Sequence, residues 1–152
     1  MGVNLYFEDF AVGQTFTSGG KTLTEAEIIG FAMVYDPQPF HIDVEAARAG
    51  PFGGLIASGF QTFAIAFRLF YDTGTFRDAS MGSGGVDRLR WHHPVRPGDT
   101  LTVVSEVKEV RPSASKPNRG AVVIEHVARN QEGRTVLSYT CPHLIARRDA
   151  VA

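Results

Sequence analysis

Hydrophobic and polar positions repeat with one period in the first half of this chain and another in the second. From Thr24 the apolar residues Ile28, Ile29, Phe31, Ala32 and Val34 recur at helical spacing. Thr24 and Glu27 stand before that run as a capping box, in which hydroxyl and carboxylate each satisfy a backbone N–H of the other residue. The helix is expected to end near Tyr35, because Asp36-Pro37 and Gln38-Pro39 each place a residue before proline, where the α region is disfavoured. Residues 43–48 read as one or two helical turns closed by Gly50-Pro51. A second helix is expected over about 58–71. Phe60, Phe63, Ala64, Ile65, Ala66, Phe67, Leu69 and Phe70 leave it almost no polar face, with Gln61, Thr62 and Arg68 the main exceptions. Such a helix should be buried nearly all round.

The second half supplies strands. Runs at 86–92, 100–111, 121–130 and 135–146 are rich in Val, Leu, Ile, Tyr and Thr. In the second run Leu101, Val103, Ser105 and Val107 alternate with Thr102, Val104, Glu106 and Lys108. Pro94 with Pro97-Gly98-Asp99 marks a turn, Pro112 closes the second run, and Gln131-Glu132-Gly133 joins the last two as a hairpin. Pro142, inside the final run, predicts a bulge or an edge position. Near the start, Leu5 to Phe10 reads as an extended segment, followed by a turn at Gly13 and a short strand through Phe16, before the Gly19-Gly20 break. The fold class expected is α+β, an antiparallel β-sheet wrapped around a long central hydrophobic helix, with residues 1–152 forming one domain. One such sheet leaves an edge and an open face, so a homodimer or higher homo-oligomer is expected.

Composition narrows the function classes. The formal net charge is −1 and no block of like charge is present, which argues against nucleic-acid or anionic-membrane partners. Cys141 is the single cysteine, so no intramolecular disulfide and no cysteine-built zinc cage is possible. Met1-Gly2-Val3-Asn4 leads into mixed polar and aromatic sequence, without the basic and apolar stretches of a leader, and no window approaches the roughly 18 apolar residues of a spanning helix. A cytoplasmic location is the expectation.

Three stretches hold candidate chemistry. Asp36-Pro37-Gln38-Pro39-Phe40-His41 sets an acid and an imidazole on a connector stiffened by two prolines. Proton transfer needs such fixed geometry, and an imidazole can give or take a proton near neutral pH. Gly53-Gly54 leads into Ser58-Gly59 at the head of the second helix, whose unpaired N–H groups and dipole favour developing negative charge. Trp91-His92-His93 precedes a turn, and adjacent strand residues point to opposite faces, which argues against a metal shared by the two histidines. Each has a plainer alternative: Asp-Pro opens ordinary turns, Ser58 serves as an N-cap, and phenylalanines fill cores. Spacing alone leaves both kinds of reading open.

The three blocks Asp36 to His41, Phe52 to Gly59, and Pro94 to Leu101, in that order and with these gaps, resemble the MaoC-like dehydratase family, which includes the (R)-specific enoyl-CoA hydratases. The resemblance runs from about Tyr6 to Ala146. It implies a hotdog fold, with Asp36 and His41 as catalytic residues and the N–H of Gly59 or its neighbour facing the thioester oxygen. It implies hydration of a trans-2-enoyl thioester, or the reverse dehydration, with no metal or redox cofactor and with coenzyme A as the substrate's carrier. Ser58, Gly59, Gly54, Gln38 and Phe40 are the expected oxyanion and substrate-binding residues. The chain departs from the common family pattern at Gln38, often Asn, and at Ser58, often His. Phe40, Phe52, Phe60 and Phe63 are expected to cap the acyl tunnel and favour short or branched groups. Arg88, Arg90, Arg96, Arg147 and Arg148 are candidates for the coenzyme's phosphates, with solvated surface as the plainer role. Two other functions fit the same architecture: a hotdog acyl-CoA thioesterase, and a non-catalytic acyl-thioester-binding subunit of a heteromeric hydratase.

Overall fold

The computed structural model describes residues 4–150. Met1-Gly2-Val3, on which the expectation of no leader partly rests, lies outside them. The helices are α1 (Glu25–Tyr35), α2 (Pro39–Ile42), α3 (Val44–Ala49) and α4 (Gly59–Tyr71). The strands are β1 (Thr15–Thr17), β2 (Lys21–Thr22), β3 (Asp87–Trp91), β4 (Thr100–Pro112), β5 (Arg119–Arg129) and β6 (Thr135–Ala146). They form one antiparallel sheet in the order β1-β4-β5-β6-β3, with β2 also paired to β4, and α4 lies against β4 and β6. The molecule is α+β. No helix among the described residues is long and apolar enough to cross a membrane.

Local signals set most of these boundaries. The Thr24 hydroxyl accepts from the Glu27 N–H, the Glu27 carboxylate accepts from the Thr24 N–H, and α1 stops at Tyr35 before the two prolines. β4, β5 and β6 alternate between buried and half-exposed residues along most of their length, as period two requires when one sheet face meets the core. Pro142 does not lie on an edge strand, since β6 runs between β5 and β3; it falls in the gap between the β3 ladder and the Ser80–Ile145 bridge. The Pro142 carbonyl accepts from the Ser83 hydroxyl at 2.7 Å, on the side where the β3 ladder has already ended at Asp87 opposite Thr140. At the N-terminal end the extended reading is corrected: Phe7–Asp9 forms a 3-10 turn, which places Phe7 and Phe10 in the core.

The expectation for α4 also needs correction. One sheet of one chain covers one face of a helix, and here the buried face carries Gln61, Thr62, Ala66, Leu69 and Phe70. Phe60, Phe67 and Tyr71 stay 60%, 42% and 39% exposed. Two of the three polar exceptions thus point inward: Gln61 donates to the Glu27 carbonyl and Thr62 to the Ser58 carbonyl, while Phe60 and Phe67 face out. Met33, Val34, Tyr35 and Trp91 are likewise exposed.

Beneath the far end of α4 the core holds a polar cluster. His126 and His143 are fully or almost fully buried, with their Nε2 atoms 3.1 Å apart, and Ser105 Oγ meets His126 Nδ1 at 2.8 Å. Burial depresses His143 to about 4; burial and the neighbouring His143 depress His126 to about 2. Both imidazoles are neutral in the fold, whereas in the unfolded chain each titrates near 6.5. Stability from this pair is therefore full above pH 6.5 and is lost as pH falls toward 4, because the unfolded chain binds protons that the folded one refuses. Between about pH 6.5 and 5, where most carboxylates are still ionised, unfolding free energy should fall by as much as ~2–3 kcal/mol per pH unit. Denaturant titrations at stepped pH check this, and a flat profile across that window would refute it.

Candidate active site

Asp36 caps the C-terminus of α1, and Pro39 opens the single turn of α2 that carries His41. The stiff connector is therefore partly helical, and its geometry sets the pair face to face. His41 Nε2 lies 3.2 Å from Asp36 Oδ2, with the two side chains 5% and 13% exposed. His41 Nδ1 meets the Ile56 carbonyl at 2.7 Å. A carbonyl only accepts, so Nδ1 carries hydrogen and Nε2 is the atom turned to the acid. A carboxylate also only accepts, so the contact is attractive when one proton lies between Nε2 and Oδ2. The pair can hold that proton, release it and take it back.

The carboxylate is fixed by two further donors. Ser58 Oγ donates to Asp36 Oδ2 at 2.7 Å, and Gln38 Nε2 donates to Oδ1 at 2.8 Å. Burial pushes the Asp36 carboxyl up, but the bonds from Ser58 and Gln38 and the charge of His41 outweigh it and hold it below the usual value. Ser58 is fully buried, also caps α4 by accepting from the Phe60 N–H at 3.3 Å, and lies behind the acid. Both positions at which the sequence departs from the family pattern, Gln38 and Ser58, thus touch the same carboxylate. The Ser58 contact spans 22 residues, and no local sequence signal announces it.

Gly59 is the first residue of α4, so its N–H has no intrahelical partner. Trp91, at the end of β3, donates from Nε1 to the Gly59 carbonyl at 2.8 Å and lies flush against the glycine. Asp36, Gln38, Phe40, His41, Gly59 and Trp91 all line one cavity of about 460 Å³. Phe52 and Phe60 line it too, but Phe63 does not; it lies one turn further along α4, against Tyr139. Gly54 is not among the lining residues. It sits under the Arg96 guanidinium, which donates to the Phe52 carbonyl and pins that loop. None of the five candidate arginines lines the cavity, and Arg147 and Arg148 pair with Glu8 and Asp9. His92 and His93 line it from beyond β3 but take separate partners, Ser138 and the Thr135 carbonyl. No group of three or more His, Cys, Asp or Glu among the described residues is placed to hold a metal.

Nothing in the sequence around Trp91, which stands two residues before His93, marks it as a neighbour of Gly59. The His126, His143 and Tyr139 cluster, by contrast, has a signal in the sequence. His126 shares strand parity with Val122 and Ile124, and His143 with Tyr139 and Ile145, which puts both on the core face.

Comparison with known proteins adds an independent line. The family model for the MaoC like domain matches residues 9–130. The crystal structure of the MaoC-like dehydratase from Rhodospirillum rubrum is similar with a TM-score of 0.86 at 41% identity, covering 95% of this chain and 99% of that one. R-Hydratase PhaJ1 from Pseudomonas aeruginosa is similar with a TM-score of 0.75 at 27% identity, covering 95% of this chain and 86% of that one. The 3-hydroxyacyl-thioester dehydratase Z of Mycobacterium tuberculosis is 36% identical over 98 residues, 63% of each chain. The sheet and its crossing helix are the hotdog fold of these neighbours. By its match over residues 9–130, the chain belongs to the MaoC-like dehydratase family.

Proposed function

We propose that this chain is a hydro-lyase that adds water to a trans-2-enoyl thioester, or removes it from the 3-hydroxyacyl thioester, with coenzyme A as carrier. One observation carries the reading: the Asp36–His41 pair and Gly59, the first residue of α4, line the same cavity. In the hydration direction, water attacks C3 of the enoyl group while the pair takes one of its protons, forming the C3–O bond. The C2=C3 electrons move toward the thioester, whose oxygen gains negative charge beside the Gly59 N–H and the positive end of α4. The pair then returns its proton to C2, and the hydroxyacyl product leaves with no net change in the protein. Each step uses only a proton acceptor, a proton donor and a hydrogen-bond donor, and no metal or redox cofactor is needed.

We also assign the protein a homodimeric state. The exposed apolar residues Met33, Val34 and Tyr35 of α1 and the free edge of β3 support it, because both are surfaces that a second copy could cover.

The function is tested with crotonyl-CoA. The expected result is loss of the enoyl-thioester absorbance without release of free thiol. Thiol release without hydration would instead identify a thioesterase. No turnover over a panel of enoyl-CoAs, despite tight binding, would make the chain a non-catalytic subunit.

A further inference from the structure

We propose that a second cavity, further along α4, receives the far end of the acyl group and selects acyl groups that carry a neutral hydrogen-bonding group there, such as a hydroxyl or a ketone. The proposal rests on the thioester reading for the identity of the ligand.

This cavity measures about 220 Å³, with Phe63, Phe67, Phe76 and Val86 as apolar wall and the buried Tyr139, Cys141 and His143 also lining it. Tyr139 is 2% exposed, yet its hydroxyl has no hydrogen-bond partner among the described residues. Buried polar groups are nearly always paired, so an unpaired phenol on a cavity wall marks a place for a ligand atom. Its buried polar neighbours in the lining are already engaged, and the Ser80 hydroxyl, at the exposed rim, has water to bond. His143 Nε2 faces His126, and the Cys141 sulfur lies 3.4 Å from Ser83 Oγ and 3.8 Å from His143 Nδ1. Among the buried groups that line the cavity, the Tyr139 hydroxyl is the one left to recognise something.

Position links the cavity to the catalytic mouth. Phe63 and Phe67 follow Gly59 by four and eight residues on α4, about 6 and 12 Å along the axis. Phe60, on the same open strip of the helix, lines the mouth itself. A thioester held at Gly59 would run its acyl chain along this strip toward the second cavity, where Phe63 meets the Tyr139 ring edge to face, 4.9 Å between centroids. Phe63 is therefore a wall of the second cavity.

Charge decides among polar groups. No Lys, Arg, Asp or Glu lines this cavity, and burial keeps both nearby histidines neutral. A terminal carboxylate or ammonium would enter without a counter-charge, which is costly in an apolar site. A plain alkyl end would fill the space but leave the phenol unpaired. A hydroxyl or ketone meets both conditions.

The test is calorimetric and does not need turnover. Intact wild-type protein is titrated with octanoyl-CoA and with ω-hydroxyoctanoyl-CoA, which are saturated and cannot be hydrated. The hydroxylated thioester should bind about 5- to 10-fold more tightly, the worth of one good hydrogen bond. Tyr139→Phe should fold, since it removes only an unpaired hydroxyl, and should erase that preference. Val86→Trp, which fills the cavity from its exposed side, should weaken both octanoyl thioesters and spare butyryl-CoA. Equal affinity in the wild type, no binding of either thioester, or a preference that survives Tyr139→Phe would each overturn the proposal. Crotonyl-CoA turnover measured on the same preparation reports separately on the hydro-lyase reading, so the failure of one is distinguishable from the failure of the other.

Discussion

His41→Ala should lower kcat/KM for an enoyl thioester on the order of 100- to 10,000-fold, Asp36→Asn by a comparable factor, and the double variant no further than the worse single change. The reason is the shared proton. His41 Nδ1 is committed to the Ile56 carbonyl, so only Nε2 can work, and it faces Asp36 Oδ2 at 3.2 Å. Removing the imidazole leaves a carboxylate fixed by Ser58 and Gln38 but without the partner that passes the proton on. Replacing the acid by its amide presents Nε2 with a group that cannot take part in transfer. Either change breaks the same step, so the second finds nothing left to remove. Thermal melting measured alongside separates chemistry from folding, since His41 is buried and its loss also opens a void. If the single losses multiplied in the double variant, the two residues would be acting in different steps. If His41→Ala kept most of its activity, the pair would not be the acid–base centre at all.

The sequence carried the elements that depend on local chemistry. The Thr24–Glu27 capping box, the two residue–proline pairs after Tyr35 and the period-two runs of β4 to β6 all act within a few residues, and each appears where it was read. β2 did not announce itself, because two residues are too few for any periodicity to register. The orientation of α4 was illegible for a different reason. Its composition is apolar all round, so nothing in the pattern says which face the sheet will take, and the buried side proved to be the one with Gln61 and Thr62. At the site, the Asp36 and His41 spacing suggested a pair, but the atoms that hold it come from afar: Ser58, the Ile56 carbonyl and, around Gly59, Trp91. These contacts are tertiary, so they emerge only once α1, α2, α4 and β3 are packed. The role of Gly54 shows the same limit, since a glycine wanted for close approach does not say what approaches it. Here that is the Arg96 guanidinium.

Gly59→Ala should fold normally and lose on the order of 100-fold in kcat/KM, the scale of a displacement of about 1 Å in a catalytic group. A methyl on this glycine would stand 2.5 Å from Trp91 Nε1 and 2.6 Å from its Cε2, closer than any real contact. Something must move, and it is the indole: Trp91 is 48% exposed and can swing outward, whereas the glycine backbone is fixed in the first turn of α4. Stability should change little, because the lost contact is at the surface and alanine is a better helix residue than glycine. Activity has more to lose. The swing breaks the Trp91 bond to the Gly59 carbonyl, removes one wall of the cavity that holds Asp36 and His41, and leaves a methyl beside the N–H that the thioester oxygen would approach. Trp91→Ala in the Gly59→Ala background discriminates between these causes. If displacement of the indole is the whole defect, the double variant matches Trp91→Ala alone. If the methyl itself obstructs the oxygen, the double variant is worse than Trp91→Ala. Full activity in Gly59→Ala would mean that no reacting atom comes near this peptide, and the oxyanion role would have to move elsewhere on the cavity wall.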